Sequence, residues 1–157
     1  MHTCFQLNGQ PVPEERSIAV SGYRGEQPVR VGNNASRQLQ LSNYGDILDT
    51  AVLFTDAGHV LDLNTSRLLG QLANHCADTW RQPDSGIWEL PDAQHYTQSK
   101  MACWVALNQA VHLAKGQYIE PTWQGRWERE RDRIRDWIET YCWSEERQSY
   151  CFWPGSE

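Results

Sequence analysis

Apolar side chains recur at helical spacing in four long stretches of this chain, and this pattern limits the possible folds most strongly. The stretches are residues 33–58, 64–80, 97–116 and 123–143. Apolar positions three and four residues apart predict amphipathic helices, whose stripes must be buried against one another. Irregular segments separate the stretches, and no pattern typical of a parallel sheet occurs. The sequence therefore predicts an all-α fold of antiparallel helix pairs.

The remaining segments and two of the helices carry more specific expectations. The stretch 97–116 is apolar around most of its circumference, which is typical of a helix buried between other elements. Gly45 lies inside the first stretch and costs a helix roughly 1 kcal/mol relative to alanine, so we expect it to have a packing reason. Residues 1–32 are rich in proline and glycine and predict short strands at best. The tail, 144–157, is interpreted as a hairpin or simply a chain end.

The charge balance argues against nucleic acid and acidic membranes as partners. The 157 residues contain 14 Lys and Arg against 20 Asp and Glu, for a net charge of −6, whereas such binders carry a basic surface. Residues 126–139 hold five arginines and five acids. These charges cancel and indicate a solvated, ion-paired helix face. No apolar run approaches the roughly 20 residues that a membrane span requires.

The cysteines and histidines give no sign of a metal site. The five cysteines are odd in number and contain no CxxC pair, so neither a disulfide framework nor a zinc ribbon is indicated. The five histidines are scattered, and we expect no metal and no cofactor. Unpaired thiols are typical of a reducing compartment. The chain start also lacks the charged region and apolar core of a secretory signal, so we predict a cytoplasmic protein.

One acid, Glu89, follows a tryptophan in a segment with too much proline and glycine to be a helix interior. The segment reads PDSGIWELPDAQ, residues 83–94. An apolar neighbour such as Trp88 raises the pKa of a carboxyl group, because burial disfavours its charged form. A protonated acid is what glycoside hydrolysis needs, together with a second carboxylate on the opposite side of the bond. A surface glutamate without a chemical role would show the same spacing, so both interpretations remain open from residue chemistry alone.

Three blocks of sequence, taken in order, resemble glycoside hydrolase family 15. They are GYRGEQPVRVGNNASRQLQLSNYGDILD at 22–49, DSGIWE at 84–89 and HYTQSKMACWVALNQA at 95–110. The resemblance extends from about residue 7 to residue 155. It implies an (α/α)6 toroid of inner and outer helices with a sugar site in the loops at one end. It also implies an inverting, exo-acting hydrolase of the glucoamylase, glucodextranase or trehalase type, acting on α-glucosidic oligosaccharides or trehalose.

The resemblance assigns roles to five residues. Glu89 is implied to be the general acid. The backbone carbonyl of Ile87 and the side chain of Trp88 are implied to hold the glucose unit at the cleaved bond. Arg30 and Lys100 occupy motif positions near the same cleft and are expected to bind substrate. Arg30 could instead anchor a loop through a carboxylate, and Lys100 could pair with a local acid.

The resemblance also implies that this segment lacks parts of the catalytic machinery. The family's Trp-x-Arg-Asp motif is expected upstream of residue 1, and the general base is expected beyond residue 157. Residues 1–157 then form a single segment from the middle of a catalytic domain. Asp84, Asp92 and Glu120 are possible stand-ins for the base, although no motif supports them.

Two non-hydrolytic interpretations stay open. The chain could be a carbohydrate-binding or scaffold remnant of the same fold, as in the toroid-like part of phosphorylase kinase regulatory subunits. Alternatively, the chain could belong to a phosphorylase with a related barrel. On any of these interpretations an incomplete toroid exposes apolar flanks of inner helices such as 97–116, and exposed apolar patches drive association. We therefore expect possible self-association.

Overall fold

The protein is described by a computed structural model that covers residues 4–156 and is mostly helical. Its helices are α1 Asn43–Asp56, α2 Leu63–Thr79, α3 Thr97–Lys115 and α4 Gln124–Tyr141. Its strands form two small antiparallel hairpins, β1 Arg16–Ile18 with β2 Val29–Val31, and β3 Trp143–Ser144 with β4 Ser149–Tyr150. Short 3-10 turns occupy Tyr23–Gly25, Asn34–Arg37 and Pro121–Trp123. The all-α prediction is confirmed, and the tail forms a hairpin rather than a bare end.

Helices α1 and α3 lie side by side and run in the same direction. Near their amino-terminal ends, Gly45 lies so close to Ala102 that an added Cβ would stand 2.8 Å from the Ala102 carbonyl oxygen. Near their carboxyl-terminal ends, His112 Nε2 lies 3.5 Å from Asp56 Oδ1. The expected packing reason for Gly45 is therefore confirmed, because any side chain there would push α1 away from α3.

Helix α2 runs opposite to α3. The Cys76 thiol, near the end of α2, donates to the Cys103 carbonyl near the start of α3 at 3.8 Å. The Ser66 hydroxyl, near the start of α2, donates to the Tyr118 carbonyl just beyond the end of α3 at 2.7 Å. The two helices therefore form the antiparallel pair that the sequence predicted.

Helix α4 also runs opposite to α3 and packs beside α2. Lys115 at the end of α3 lies 3.8 Å from Glu128 in the early part of α4. The Trp127 indole donates to Asn74 of α2 at 2.9 Å. One layer thus contains α1 and α3, and the other contains α2 and α4. This is the arrangement of two neighbouring helix pairs in an (α/α)6 toroid, so the prediction of a partial toroid is confirmed.

The start of α1 differs from the sequence prediction. The sequence predicts Asn33 or Asn34 as the cap of the first helix. Asn33 caps a helical turn, since its side-chain oxygen accepts from the Ala35 amide at 2.9 Å, but that turn is the short 3-10 segment Asn34–Arg37. Residues 38–41 are not helical, and α1 begins at Asn43, ten residues later than residue 33. The non-helical segment 38–41 binds a distant loop instead: the Leu39 carbonyl accepts from the Ser85 amide at 3.0 Å, and the Leu41 amide donates to Asp84 Oδ2 at 3.0 Å.

The apolar flanks expected on α3 are partly covered in the residues that the structure describes. Most of its large apolar side chains are buried, whereas Met101, Trp104 and Val105 are half-buried and line a groove beside α4. One group of exposed apolar side chains lies where α1 ends and α2 begins: Leu53 (65% exposed), Phe54 (44%), Val60 (83%) and Leu63 (64%). Among the described helices, none is both long and apolar enough to cross a membrane.

Candidate active site

The predicted acid lies on a closed loop between α2 and α3, residues 84–94, which we call the acid loop. Asp84 and Gln94 exchange two backbone hydrogen bonds of 2.9 Å each and so close the base of this loop. Inside it, Gly86 has φ +64 and packs so closely on the Tyr96 ring that a Cβ would stand 2.8 Å from it. A glycine is needed at this position because L side chains disfavour positive φ and because no space remains for a Cβ.

Asp84 fixes the acid loop to two other parts of the fold. Its Oδ2 accepts from the Leu41 amide at 3.0 Å and from the Ser99 hydroxyl at 2.8 Å. Leu41 belongs to the non-helical segment before α1, and Ser99 to the first turn of α3. The side chain is 1% exposed, and its other oxygen has no hydrogen-bond partner among the described residues. Asp84 therefore joins three chain segments beneath the loop.

Glu89 lies at the end of an exposed turn and is held by two glutamines. Its backbone has φ 53, in the left-handed region that non-glycine residues rarely adopt, and its amide donates to the Gly86 carbonyl at 3.3 Å. Gln38 Nε2 donates to the Glu89 carbonyl at 3.1 Å. Gln40 Nε2 donates to the Glu89 carboxylate at 3.4 Å. The carboxylate is therefore oriented by a neutral amide donor.

Ile87 and Trp88 precede Glu89 in the same turn and face solvent. Ile87 is 54% exposed and Trp88 is 73% exposed, and the Glu89 side chain is also exposed. The structure thus brings together the three residues predicted at consecutive positions. The sequence argument expected Trp88 to shield the Glu89 carboxyl from water. In this arrangement both side chains face solvent, so Trp88 does not bury Glu89.

Lys100 lies behind the acid loop and does not reach its surface. It is fully buried in α3, and its ammonium donates to the carbonyls of Trp80 and Gln82 at 2.6 Å each. Burial lowers the pKa of Lys100, while nearby Cys103 and Asp84 oppose that shift. The lysine therefore binds the chain where it leaves α2 and enters the loop, using carbonyls rather than the local acid considered from the sequence.

Arg30 lies on β2, in the amino-terminal hairpin. Its Nη1 lies 2.8 Å from Glu15 Oε1, and its side chain is 59% exposed. The loop-anchoring alternative considered from the sequence describes this geometry. Its predicted role in substrate binding remains a prediction.

The three acids considered as stand-ins for a general base have different positions. Asp84 is buried and already accepts two hydrogen bonds. Glu120 follows the carboxyl end of α3, and the 19 residues of that helix span roughly 28 Å. Asp92 is exposed within the acid loop. Only Asp92 is therefore both accessible and on the same loop as Glu89.

The sequence interpretation missed Gln38 and Gln40. They lie in the stretch QLQL, residues 38–41, where polar and apolar residues alternate. A period of two is typical of an extended strand rather than a helix, so this signal was present but was absorbed into the predicted helix. Among the described residues, no group of three histidines, cysteines or acids could hold a metal ion.

The chain is similar to known proteins over most of its length. The family model "Glycosyl hydrolases family 15" matches residues 2–156. A trehalase of Mycobacterium tuberculosis is 37% identical over 117 residues, which are 74% of this chain and 17% of the relative. A trehalase of Thermoplasma volcanium is 34% identical over 73% of this chain and 19% of the relative. One of Thermoplasma acidophilum is 27% identical over 100% of this chain and 27% of the relative.

The chain thus spans 17–27% of the length of these curated relatives. No solved structure matches it significantly.

Proposed function

The chain belongs to glycoside hydrolase family 15, and from this premise we propose that it supplies the general-acid side of a site that hydrolyses α-glucosidic bonds. The names of its relatives favour trehalose as a substrate. The observation that carries the proposal is the geometry of Glu89, which stands on an exposed turn directly after Trp88 with its carboxylate bound by Gln40. An acid in this position is open to a ligand and fixed in direction.

In the proposed reaction, Glu89 is protonated and donates its proton to the oxygen of the bond that breaks. The Ile87 carbonyl accepts a hydrogen bond from the sugar, and the exposed indole of Trp88 covers an apolar face of its ring. Inversion requires a second carboxylate roughly 6.5–9.5 Å away, with a water molecule between. We propose that this base comes from outside the 157 residues.

Lys100 and Arg30 have supporting roles in this proposal. Lys100 binds the carbonyls of Trp80 and Gln82 and so fixes the chain at the entrance of the acid loop. Arg30 reaches the sugar only if its ion pair with Glu15 opens. Neither residue donates a proton to the bond.

The test is glucose release from trehalose and from maltooligosaccharides by a complete enzyme in which this segment is joined to the part that carries the second carboxylate. The unmodified enzyme is compared with its Glu89→Gln variant and with a Glu146→Gln control, which changes an exposed carboxylate near the end of the segment. General-acid catalysis contributes roughly 10²–10⁴-fold, so we expect Glu89→Gln to lose at least about 100-fold while Glu146→Gln keeps its rate. Near-normal release by Glu89→Gln would contradict the assignment. Titration calorimetry with trehalose is measured in parallel. Binding of trehalose without turnover by the complete enzyme would favour the non-catalytic carbohydrate-binding alternative. Glucose release that depends on phosphate would indicate a phosphorylase.

We also propose where and in which state the chain works. Cys76, Cys103, Cys142 and Cys151 are thiols, as is usual in the cytoplasm. The exposed apolar side chains of Leu53, Phe54, Val60 and Leu63 favour association between copies. We expect light scattering to give a mass above the 18.2 kDa of one chain, and Leu53→Ser with Phe54→Ser to reduce it. A clean monomer at micromolar concentration would contradict the association.

A further inference from the structure

Two cysteines face each other across the hairpin that follows α4. In that hairpin Trp143 pairs with Tyr150, and Cys142 and Cys151 flank this pair in the chain. Cys142 is the residue that caps the end of α4 and has helical backbone angles, φ −105 and ψ −11. The Cys151 amide donates to the Cys142 carbonyl at 2.7 Å. Residues joined by such a backbone hydrogen bond across two antiparallel segments have Cα atoms about 5.5 Å apart. That separation lies within the range of about 4.4–6.8 Å that a disulfide requires. The two thiols are also close, since burial and the neighbouring Cys151 thiol both raise the pKa of Cys142.

The same hairpin is bound to the start of α3. The Thr97 amide donates to the Phe152 carbonyl at 3.0 Å, and its hydroxyl donates to the Cys151 carbonyl at 2.7 Å. The ring of Tyr96 lies 5.0 Å from that of Phe152. Tyr96 also supports Gly86 of the acid loop. A bond between Cys142 and Cys151 would therefore fix the segment on which the acid loop rests.

We propose that Cys142 and Cys151 form a reversible disulfide that locks the hairpin against the start of α3, with a small disulfide such as oxidised glutathione as the oxidant. The Cys151 thiolate attacks one sulfur of oxidised glutathione, and one reduced glutathione leaves. The Cys142 thiolate then attacks the Cys151 sulfur, and the second glutathione leaves. Two cysteine thiols are oxidised to one disulfide, and one glutathione disulfide is reduced to two thiols, which take up the two protons that the cysteines lose.

The accessibility of the cysteines favours this pair over the one in the core. Cys76 and Cys103 are also neighbours, but both are fully buried, so an oxidant has no route to them. Cys151 is half-buried, and it can be the first thiol to react while Cys142 lies directly behind it. Disulfides in cytoplasmic proteins are usually transient and redox-sensing. The proposal does not depend on the proposed hydrolase activity.

The experiment is peptide mapping of the folded chain after exposure to oxidised glutathione and alkylation of the remaining thiols. Trypsin cuts after Arg135 and Arg147, which places Cys142 in the peptide 136–147 and Cys151 in the peptide 148–157. We expect these two peptides to run as one linked species that separates on reduction with dithiothreitol. The closed ring of ten residues should raise the thermal midpoint of the oxidised chain by about 5–10 °C.

Variants distinguish the proposed bond from other oxidation products. Cys151→Ser and Cys142→Ser should each abolish both the linked species and the rise in midpoint, while Cys4→Ser, outside the hairpin, should keep both. Three results would overturn the proposal: two separate peptides with intact thiols, a stable glutathione adduct on Cys151, or a link from Cys151 to another cysteine. The mapping needs no turnover, so it is informative even if the chain releases no glucose.

Discussion

Replacing Asp84 with alanine should destabilise the protein strongly, because one carboxylate oxygen joins three chain segments. Its Oδ2 accepts from the Leu41 amide and the Ser99 hydroxyl at 3.0 and 2.8 Å, in a side chain that is 1% exposed. Leaving a buried donor without an acceptor costs about 1–3 kcal/mol. Two such donors give an expected loss of about 2–6 kcal/mol in the free energy of unfolding. Asp84→Asn keeps an acceptor oxygen and should lose less.

The assay is urea unfolding followed by far-ultraviolet circular dichroism, with hydrogen exchange of the acid loop as a second measurement. Asp92→Ala is the matched control, since it removes an exposed carboxylate from the same loop and should change stability by under about 0.5 kcal/mol. In Asp84→Ala, the amides of 85–90 should exchange faster even before global unfolding. The reasoning fails if Asp84→Ala stays within about 1 kcal/mol of the unmodified chain, or if Asp92→Ala costs as much.

Two further predictions test the packing of α1 and the acid stability of α4. Gly45→Ala should lower the free energy of unfolding in urea by about 1–3 kcal/mol, because the added Cβ would meet the Ala102 carbonyl. Gly70→Ala, with open space around it, should instead stabilise α2 by about 0.5–1 kcal/mol. Equal effects of the two substitutions would refute the close approach of α1 and α3. Burial raises the pKa of Glu130, but hydrogen bonds from Trp80, Arg81 and Arg133 outweigh burial and hold it below its usual value. The stabilisation by ionised Glu130 is fully present above the pKa of the unfolded state and is lost as pH falls through the pKa of the folded state. The thermal midpoint of Glu130→Gln should therefore fall less steeply on acidification than that of the unmodified chain. Parallel curves would show that Glu130 does not cause the loss of stability in acid.

Helices α2, α3 and α4 could be predicted within about two residues at each end because their signals are local. Asp62 illustrates this, since its side chain accepts from the amides of Asn64 and Thr65 and so caps α2. The cap and the apolar stripe both lie within a few turns of chain, where residue type and spacing decide the outcome.

The start of α1 and the surroundings of Glu89 could not be predicted in the same way. Gln40 meets the Glu89 carboxylate across 49 residues of chain, and Gln38 meets the Glu89 carbonyl across 51. These bonds help to hold residues 38–41 outside a helix, where helical periodicity alone predicted α1. The same applies to Lys100, whose motif position indicated the cleft but whose place on α3 directs it to the carbonyls of Trp80 and Gln82.

The sequence by itself determined the all-α class, the location of Glu89 on a turn after Trp88 and the need for a small residue at position 45. These follow from periodicity, from proline and glycine, and from the helix cost of glycine, all of which are properties of adjacent residues. Only the tertiary structure decided which partners these residues meet and that Trp88 and Glu89 face solvent. Partners and exposure depend on how helices distant in sequence pack, because a hydrogen bond or a close contact forms only where packing brings two groups within a few ångströms.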